Sequence, residues 1–313
     1  MLAISDAHLD IAWSSLKHGR DFVAGHPDSG LGLPELLAGG VTLACATVYT
    51  AKFDREHETA KEVAEQQLAY YDALPGRSKN KVVWPADVVD VGMSKPGERV
   101  CLVGLMEGCE PIGPPEELEE FHRRGIRVVG LTWNKRNKWA AGCDDPGGLS
   151  ADGASLAKEI DRLNMVHDIS HLSRTAVDDL LATARGPVMA SHVACDAVFE
   201  HPRNLTDAHL TEVAKRGGVV GLVLYTGFLA ESRATMDDIL RHLMHMLEVC
   251  GPDAVGIGSD IDGGFSRDKL PTGIRTSADL PRILEALGDR GVSDQDLVKI
   301  AGSNFRRVLT AVM

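Results

Sequence analysis

The chain has 313 residues, 44% hydrophobic and 25% charged, which is the balance of an ordinary globular protein of one large or two modest domains. Its formal net charge of -12 argues against a broad nucleic-acid surface and against a basic membrane-surface role, since both need clustered lysine and arginine. Six cysteines without CxxC spacing, and an N-terminus (Met1 to Asp6) with no basic or long apolar run, predict a soluble cytoplasmic protein with no signal peptide or transmembrane segment.

Strand-like and helix-like runs alternate along the sequence. The first strand is predicted over Leu2 to His8 and the second over Gly40 to Tyr49. A polar helix follows from about Glu56 to Leu74, then a weaker strand-like run, Val82 to Val91. The third strand is Arg99 to Met106, and a helix opens near Pro115 with glutamates in its first turns, where the helix dipole favours them. The fourth strand is Val128 to Thr132, followed by a glycine- and aspartate-rich loop from Asn134 to Gly148. A helix over Gly153 to Leu163 leads to the fifth strand, Met165 to Ser170. Ser173 is placed to cap a helix over Thr175 to Ala184. The sixth strand is Pro187 to Ser191, and the helix Asp207 to Lys215 ends at Gly217-Gly218. The seventh strand is Val219 to Tyr225, followed by a long helix from Arg233 to Cys250. The eighth strand is Ala254 to Gly258, and helices over Ser277 to Leu287 and Ser293 to Met313 close the sequence.

Without the weaker run at Val82, the strong strands number eight, and helical segments separate most of them. That rhythm belongs to a parallel sheet with crossovers, and eight units fit a (β/α)8 TIM barrel spanning 1–313 as a single domain. A doubly wound open sheet is the competing architecture. It would place a glycine-rich phosphate loop after an early strand, and no GxGxxG or GxxxxGKS/T is present.

Ligand-capable residues fall at the C-terminal ends of the strands. The first strand gives Asp6, His8 and Asp10, and the third ends at Glu107. The fifth gives Asp168 and His171, the sixth Ser191 and His192, and the eighth Asp260 and Asp262. In a barrel these ends converge on one face. His8 and Asp10 are two apart, so on an extended segment both point the same way. Imidazole and carboxylate are both good zinc ligands, and Glu107 could bridge to a second centre that draws on His171 and His192. Cations would also relieve the mutual repulsion of buried carboxylates. Each residue taken alone has a plain alternative: a hydrogen-bonded structural histidine, an aspartate in the turn before Gly263-Gly264, a solvated glutamate at a strand end. Arg203, in HPRNLTD, either clamps a substrate carboxylate through a bidentate pair or makes a surface ion pair. No GxSxG elbow supports a serine nucleophile.

Taken in order, DAHLD (Asp6 to Asp10), LMEG (Leu105 to Gly108), DISHLS (Asp168 to Ser173), ASHVACDAVFEHPRN (Ala190 to Asn204), VGIGSDIDG (Val255 to Gly263) and GSNFRRV (Gly302 to Val308) resemble the membrane (renal) dipeptidase family, peptidase family M19, over nearly the whole sequence. The resemblance implies a (β/α)8 barrel with two Zn2+ ions bridged by Glu107 and a hydroxide. His8, Asp10 and Glu107 would hold one ion, and Glu107, His171 and His192 the other. Asp260 matches the residue that serves in proton transfer, and Arg203 the one that binds the substrate's terminal carboxylate. The implied substrate is a dipeptide with a free C-terminal carboxylate, L-Xaa-L-Xaa or L-Xaa-D-Xaa, and the implied assembly is a homodimer. The shortness of the sequence for the family, without the animal members' secretion signal and lipid-anchor tail, fits a bacterial-type soluble member.

The sequence departs from the family at one point. Better-known members carry a histidine where Thr132-Trp133-Asn134 places Trp133, which offers one indole N–H and no positive charge. Trp133 is therefore read either as a pocket wall or as a weak donor to the developing oxyanion. Asp6 and Asp168 are read as outer partners of the ligand set. For Asp168, orienting a metal-bound histidine and capping local backbone groups both stay open. Two other functions remain: a binuclear amidohydrolase acting on another small amide or lactone (an N-acyl amino acid or a β-lactam), and a non-catalytic barrel that binds metal or peptide.

Overall fold

The computed structural model describes residues 1–51 and 58–313. Among the described residues there are nine parallel strands: β1 (Ile4–Leu9), β2 (Val41–Tyr49), β3 (Val82–Val83), β4 (Val100–Glu107), β5 (Ile126–Gly130), β6 (Val166–Asp168), β7 (Val188–Val193), β8 (Val220–Leu222) and β9 (Val255–Ile257). Their order is β2-β1-β9-β8-β7-β6-β5-β4, and direct pairing of β2 with β4 closes the ring. The two-residue β3 only extends the start of β4, through Val82↔Val100 and Val83↔Cys101. The result is an eight-stranded closed parallel barrel with surrounding helices, as the sequence predicts. The weak run at Val82 does not supply a barrel stave. After β3 it turns into the helix Val88–Met93, capped by Asp87.

Register aligns the site. Along β2 and β4 the pairs run from Leu43↔Cys101 to Tyr49↔Glu107. Leu43, Cys45, Thr47 and Tyr49 therefore share a face with Cys101, Val103, Leu105 and Glu107, because strand side chains alternate. The apolar members of this face pack with Val128, Val166 and Met189 inside the barrel. The alternate face, with Ala44, Ala46 and Val48 on β2, packs against the helices, including Leu68 and Tyr71. Apolar side chains thus fill the barrel up to the strand ends, where Glu107 stands.

The C-terminal segment plugs the opposite mouth. Phe305 is fully buried among the inward residues, and a Cβ on Gly256 would lie 2.4 Å from its ring. Sequence reading predicts one helix over Ser293 to Met313. The structure has Asp294–Val298, a wide π-turn over Lys299–Ser303 and then Asn304–Thr310. The interruption lets Gly302 approach the start of β1, where Ser5 Oγ donates to its carbonyl at 3.2 Å. Asn304 then donates to the carbonyls of Pro252 and Val255, both at 2.8 Å.

Other elements differ at their ends. The predicted helix start at Glu56 lies outside the described residues. The described helix is Ala60–Arg77, with a Thr59–Glu62 capping box, and it passes Pro75 only in its last turn. The helix Arg174–Thr183 is capped by Ser173 as predicted, and Gly217 takes a left-handed φ of 70° past Lys215. The long helix starts at Met236 instead of Arg233, held by a Thr235–Asp238 box. Helices Ile11–His18 and Leu33–Ala38, between β1 and β2, have no counterpart in the sequence reading. No helix among the described residues is long and apolar enough to cross a membrane.

Candidate active site and metal centre

The C-terminal ends of β1, β4, β6, β7 and β9 bring His8, Asp10, Glu107, His171, His192 and Asp260 into one cluster. Glu107 Oε1 lies 3.4 Å from His8 Nε2, 2.8 Å from His171 Nε2 and 3.7 Å from His192 Nε2. His8 Nε2 lies 4.0 Å from both Asp10 Oδ1 and Asp260 Oδ1. Two overlapping groups have ligand atoms close enough for one ion: His8, Glu107 and His192, and His8, Asp10 and Asp260. His171 and Asp260 sit at φ of 68° and 54°, a region that costs a non-glycine residue energy. Such strain is retained where the surrounding structure needs the side chain in one place.

Neighbouring groups fix which imidazole nitrogen faces inward. Asn134 Oδ1 lies 2.7 Å from His171 Nδ1 and takes its proton as a hydrogen bond, so Nε2 presents a lone pair. Ser191 Oγ donates its one proton to Asp168 Oδ2, so His192 Nδ1 must donate to Ser191 at 2.7 Å. His192 Nε2 is then a lone pair as well. These two nitrogens stand 2.7 Å apart, facing a carboxylate oxygen. Both ring nitrogens of His8 are buried without a hydrogen-bond partner. Lone pairs this close repel unless a proton or a metal ion lies between them. The donor set of imidazoles and carboxylates suits zinc, so the residues present fit the implied metal.

The electrostatics agree. Burial, with the Glu107 charge adding to it, pushes Asp10 up to about 7. Burial pushes Glu107 up to about 8 and Asp6 up to about 6. It drives Asp260 well above the carboxylate range and His171 and His192 well below the usual imidazole value. Carboxylates and neutral imidazoles held this way lack a positive partner of adequate charge.

Asp168 contacts both local backbone groups and the side chain that holds His192. Its Oδ1 accepts from the amides of Ser170 and Ser191, at 3.0 and 2.9 Å, while Oδ2 reaches His192 through Ser191. Asp6 makes the matching arrangement on the other side, accepting from the amide and hydroxyl of Ser259 beside Asp260. Asp262, at φ 73°, is held by the hydroxyls of Ser14 and Ser29 and by Arg20, which fixes the loop that carries Asp260.

Arg203 is buried, and among the described residues it makes no ion pair, so the surface-pair reading does not hold. Its Nη2 donates to the carbonyl of His192 at 2.7 Å, while Nε and Nη1 are buried without partners. Trp133 stacks on His171, with ring centroids 5.6 Å apart, and walls the cavity. That cavity, about 410 Å3, opens above Asp10, Glu107, His171 and Asp260.

Sequence reasoning missed Thr47, whose hydroxyl donates to Asp10 Oδ1, missed Asn134 and Ser259, and missed the cavity-lining rings of Trp13, Tyr49, Tyr225, Phe228 and Phe265. Thr47 was findable, because it lies two residues before Tyr49 on the inward face of a strand. Asn134 and Ser259 carry no such signal, since only tertiary contact brings them to their partners.

A closed parallel barrel with imidazoles and carboxylates converging at its C-terminal face has the architecture of a metal-dependent hydrolase. The model of the membrane dipeptidase family (peptidase family M19) matches residues 1–313, and the chain belongs to that family. It is 31% identical over 265 residues to an uncharacterized protein encoded in the pqqA 5′ region of Klebsiella pneumoniae, covering 80% of this chain and 96% of that protein. It is 33% identical to the dipeptidase verJ of Clonostachys rogersoniana over 69% of this chain, and spans only 56% of that enzyme's length. A metallopeptidase from Rhodobacter sphaeroides, solved with a phosphinate mimic of the dipeptide L-Ala-D-Ala, superposes with a TM-score of 0.90 at 25% identity, over 100% of this chain and 99% of that one. Family, fold and candidate binuclear site together define a dipeptidase-type metallohydrolase.

Proposed function

We propose that the protein hydrolyses L-Xaa-L-Xaa and L-Xaa-D-Xaa dipeptides with a free C-terminal carboxylate, using two zinc ions. The observation that carries this reading is the meeting of the His171 and His192 lone pairs at Glu107 Oε1, beside an unpartnered His8. His8, Asp10 and Glu107 would hold one ion, and Glu107, His171 and His192 the other. Once bound, the ions supply a shared water acidic enough to attack near neutral pH, and a Lewis acid for the peptide carbonyl.

The chain's own residues do the rest. Arg203 offers two free, buried N–H positions to the substrate carboxylate, which sets the scissile bond over the cluster. Asp260 takes up at Oδ1 the proton given up by the attacking water, a form that burial favours, and delivers it to the leaving amine. Trp133, packed on His171, excludes water from that side. Asp168 through Ser191, and Asn134, hold the imidazoles in their tautomers. The phosphinate bound by the Rhodobacter sphaeroides relative mimics L-Ala-D-Ala, which supports tolerance of a C-terminal D-residue. On the same reading, residues 1–313 act as one catalytic domain, in the cytoplasm, as a homodimer without nucleic-acid partners.

The test is metal analysis combined with a dipeptide panel that includes D-residues at the C-terminal position. Two zinc ions per chain with turnover of both stereochemical series is the expected result. Bound metal with turnover only of N-acyl amino acids or lactones would move the protein to another amidohydrolase activity. Bound metal with no turnover would make it a binding protein.

A further inference from the structure

The cavity above the cluster is lined by an aromatic collar that the reaction itself does not require. Only 5% of the sequence is aromatic, yet two of the 4 tryptophans and two of the 4 tyrosines line this one cavity, with two of the 7 phenylalanines. They form two walls. Trp13, just past β1, meets Tyr49 at the end of β2 edge-on with centroids 5.8 Å apart, and Tyr49 meets Trp133 at 5.9 Å. In a second group, Tyr225 packs on Phe228 at 4.7 Å and on Phe265 at 4.8 Å. The walls join where Trp13 lies against Gly264, at which a Cβ would fall 2.7 Å from the indole. Among the described residues no lysine or arginine lines the cavity, Arg203 being buried behind Phe228, and the floor carries the candidate metal ligands Asp10, Glu107 and His171 with Asp260.

We infer that this collar selects dipeptides with large apolar or aromatic side chains, and disfavours small and acidic ones. The inference rests on the dipeptidase reading and names its substrate class. A large apolar side chain removes ring faces from water on both walls, whereas alanine leaves most of that surface wet. An acidic side chain sheds its hydration against a collar of aromatic rings that offers it no cation. The two walls serve different substrate residues. Arg203 lies beside Phe228, with Cζ 5.7 Å from the ring centroid. A carboxylate held by Arg203 therefore puts the C-terminal side chain nearest Tyr225, Phe228 and Phe265. The N-terminal side chain falls to Trp13, Tyr49 and Trp133.

The test compares kcat/KM for Ala-Ala, Leu-Ala, Ala-Phe, Leu-Phe, Ala-Glu and Ala-Arg on zinc-loaded full-length protein. Tryptophan fluorescence during titration with each dipeptide gives a binding readout that does not depend on turnover. Leu-Phe should exceed Ala-Ala by at least about tenfold, the lower end of what an apolar pocket gives, with most of the gain in KM. Phe265→Ala should reduce the Ala-Phe over Ala-Ala ratio, and Trp13→Ala the Leu-Ala over Ala-Ala ratio. Both residues are partly exposed, so either variant serves if the other fails to fold. Equal use of all six dipeptides, or preference for Ala-Glu or Ala-Arg, would overturn the inference and leave the dipeptidase reading intact. No turnover of any dipeptide, with no fluorescence response, would remove both.

Discussion

Asn134 and Ser191 set the tautomers of the two histidines that face Glu107. Outer hydrogen bonds of this kind typically change metal affinity by about 10–100-fold when removed. Asn134→Ala and Ser191→Ala should therefore weaken zinc binding by about that factor in a competition titration against a chelator, while the fold stays intact by circular dichroism. Unchanged affinity in both would mean that the imidazoles are oriented by packing alone. Arg203 behaves differently, because it touches no candidate ligand side chain among its hydrogen bonds. Arg203→Ala should leave zinc content normal and raise KM at least about tenfold, in line with the loss of a charge-assisted pair. C-terminally amidated dipeptides should be poor substrates of the wild-type protein and no poorer for the variant. Equal use of free and amidated dipeptides by the wild-type protein would sink the assignment.

At the scale of elements, the helix Asn304–Thr310 brings Phe305 under β8 and β9, at the far end of the barrel from the candidate site. Phe305→Ala removes a fully buried ring that packs directly on the glycine backbone of β8 and β9, at Gly221 and Gly256. It should cost about 3–5 kcal/mol in denaturant unfolding, with per-molecule zinc content unchanged in the folded fraction. A loss below about 1 kcal/mol would show that neighbours collapse into the space. The elements also show what was legible in the sequence. Eight strands and the candidate ligand positions at or just past their ends could be read, because each apolar strand run gives way to a histidine or carboxylate where the loop begins. Strand limits were read less well, as at β5, predicted over 128–132 and found at Ile126–Gly130. A parallel strand buried on both faces is an uninterrupted apolar run, so its ends carry no polar mark. The break at Lys299–Ser303 was not legible either, since it answers to Gly302 meeting the start of β1, a contact nearly three hundred residues away in sequence.

For the whole molecule, the charge of -12 has two parts. Most acidic groups are solvated, but Asp6, Asp10 and Glu107 are buried at one end of the barrel, with Asp260 half-buried beside them, and all four are held toward their protonated forms. In the unfolded chain Asp10 and Glu107 ionise near 3.8 and 4.5, whereas in the folded, metal-free protein they hold protons up to about 7 and about 8. Across that window the folded state binds more protons than the unfolded state, so stability falls as pH rises. His171 and His192 oppose this below their ordinary value of 6.5, because burial keeps them neutral while the unfolded chain takes up protons. Above that value the histidines contribute no slope and the carboxylates alone remain. The chelated protein should therefore lose thermal stability between about pH 7 and about pH 8. Saturating zinc should raise the melting temperature at both ends and most at the higher pH, since the metal takes the place of the lost protons. The check is a set of thermal melts at several pH values, with chelator and with zinc. A chelated protein whose melting temperature rises through that interval would show that the cluster is not held toward protonation, and the case for a metal as its missing positive charge would fail with it.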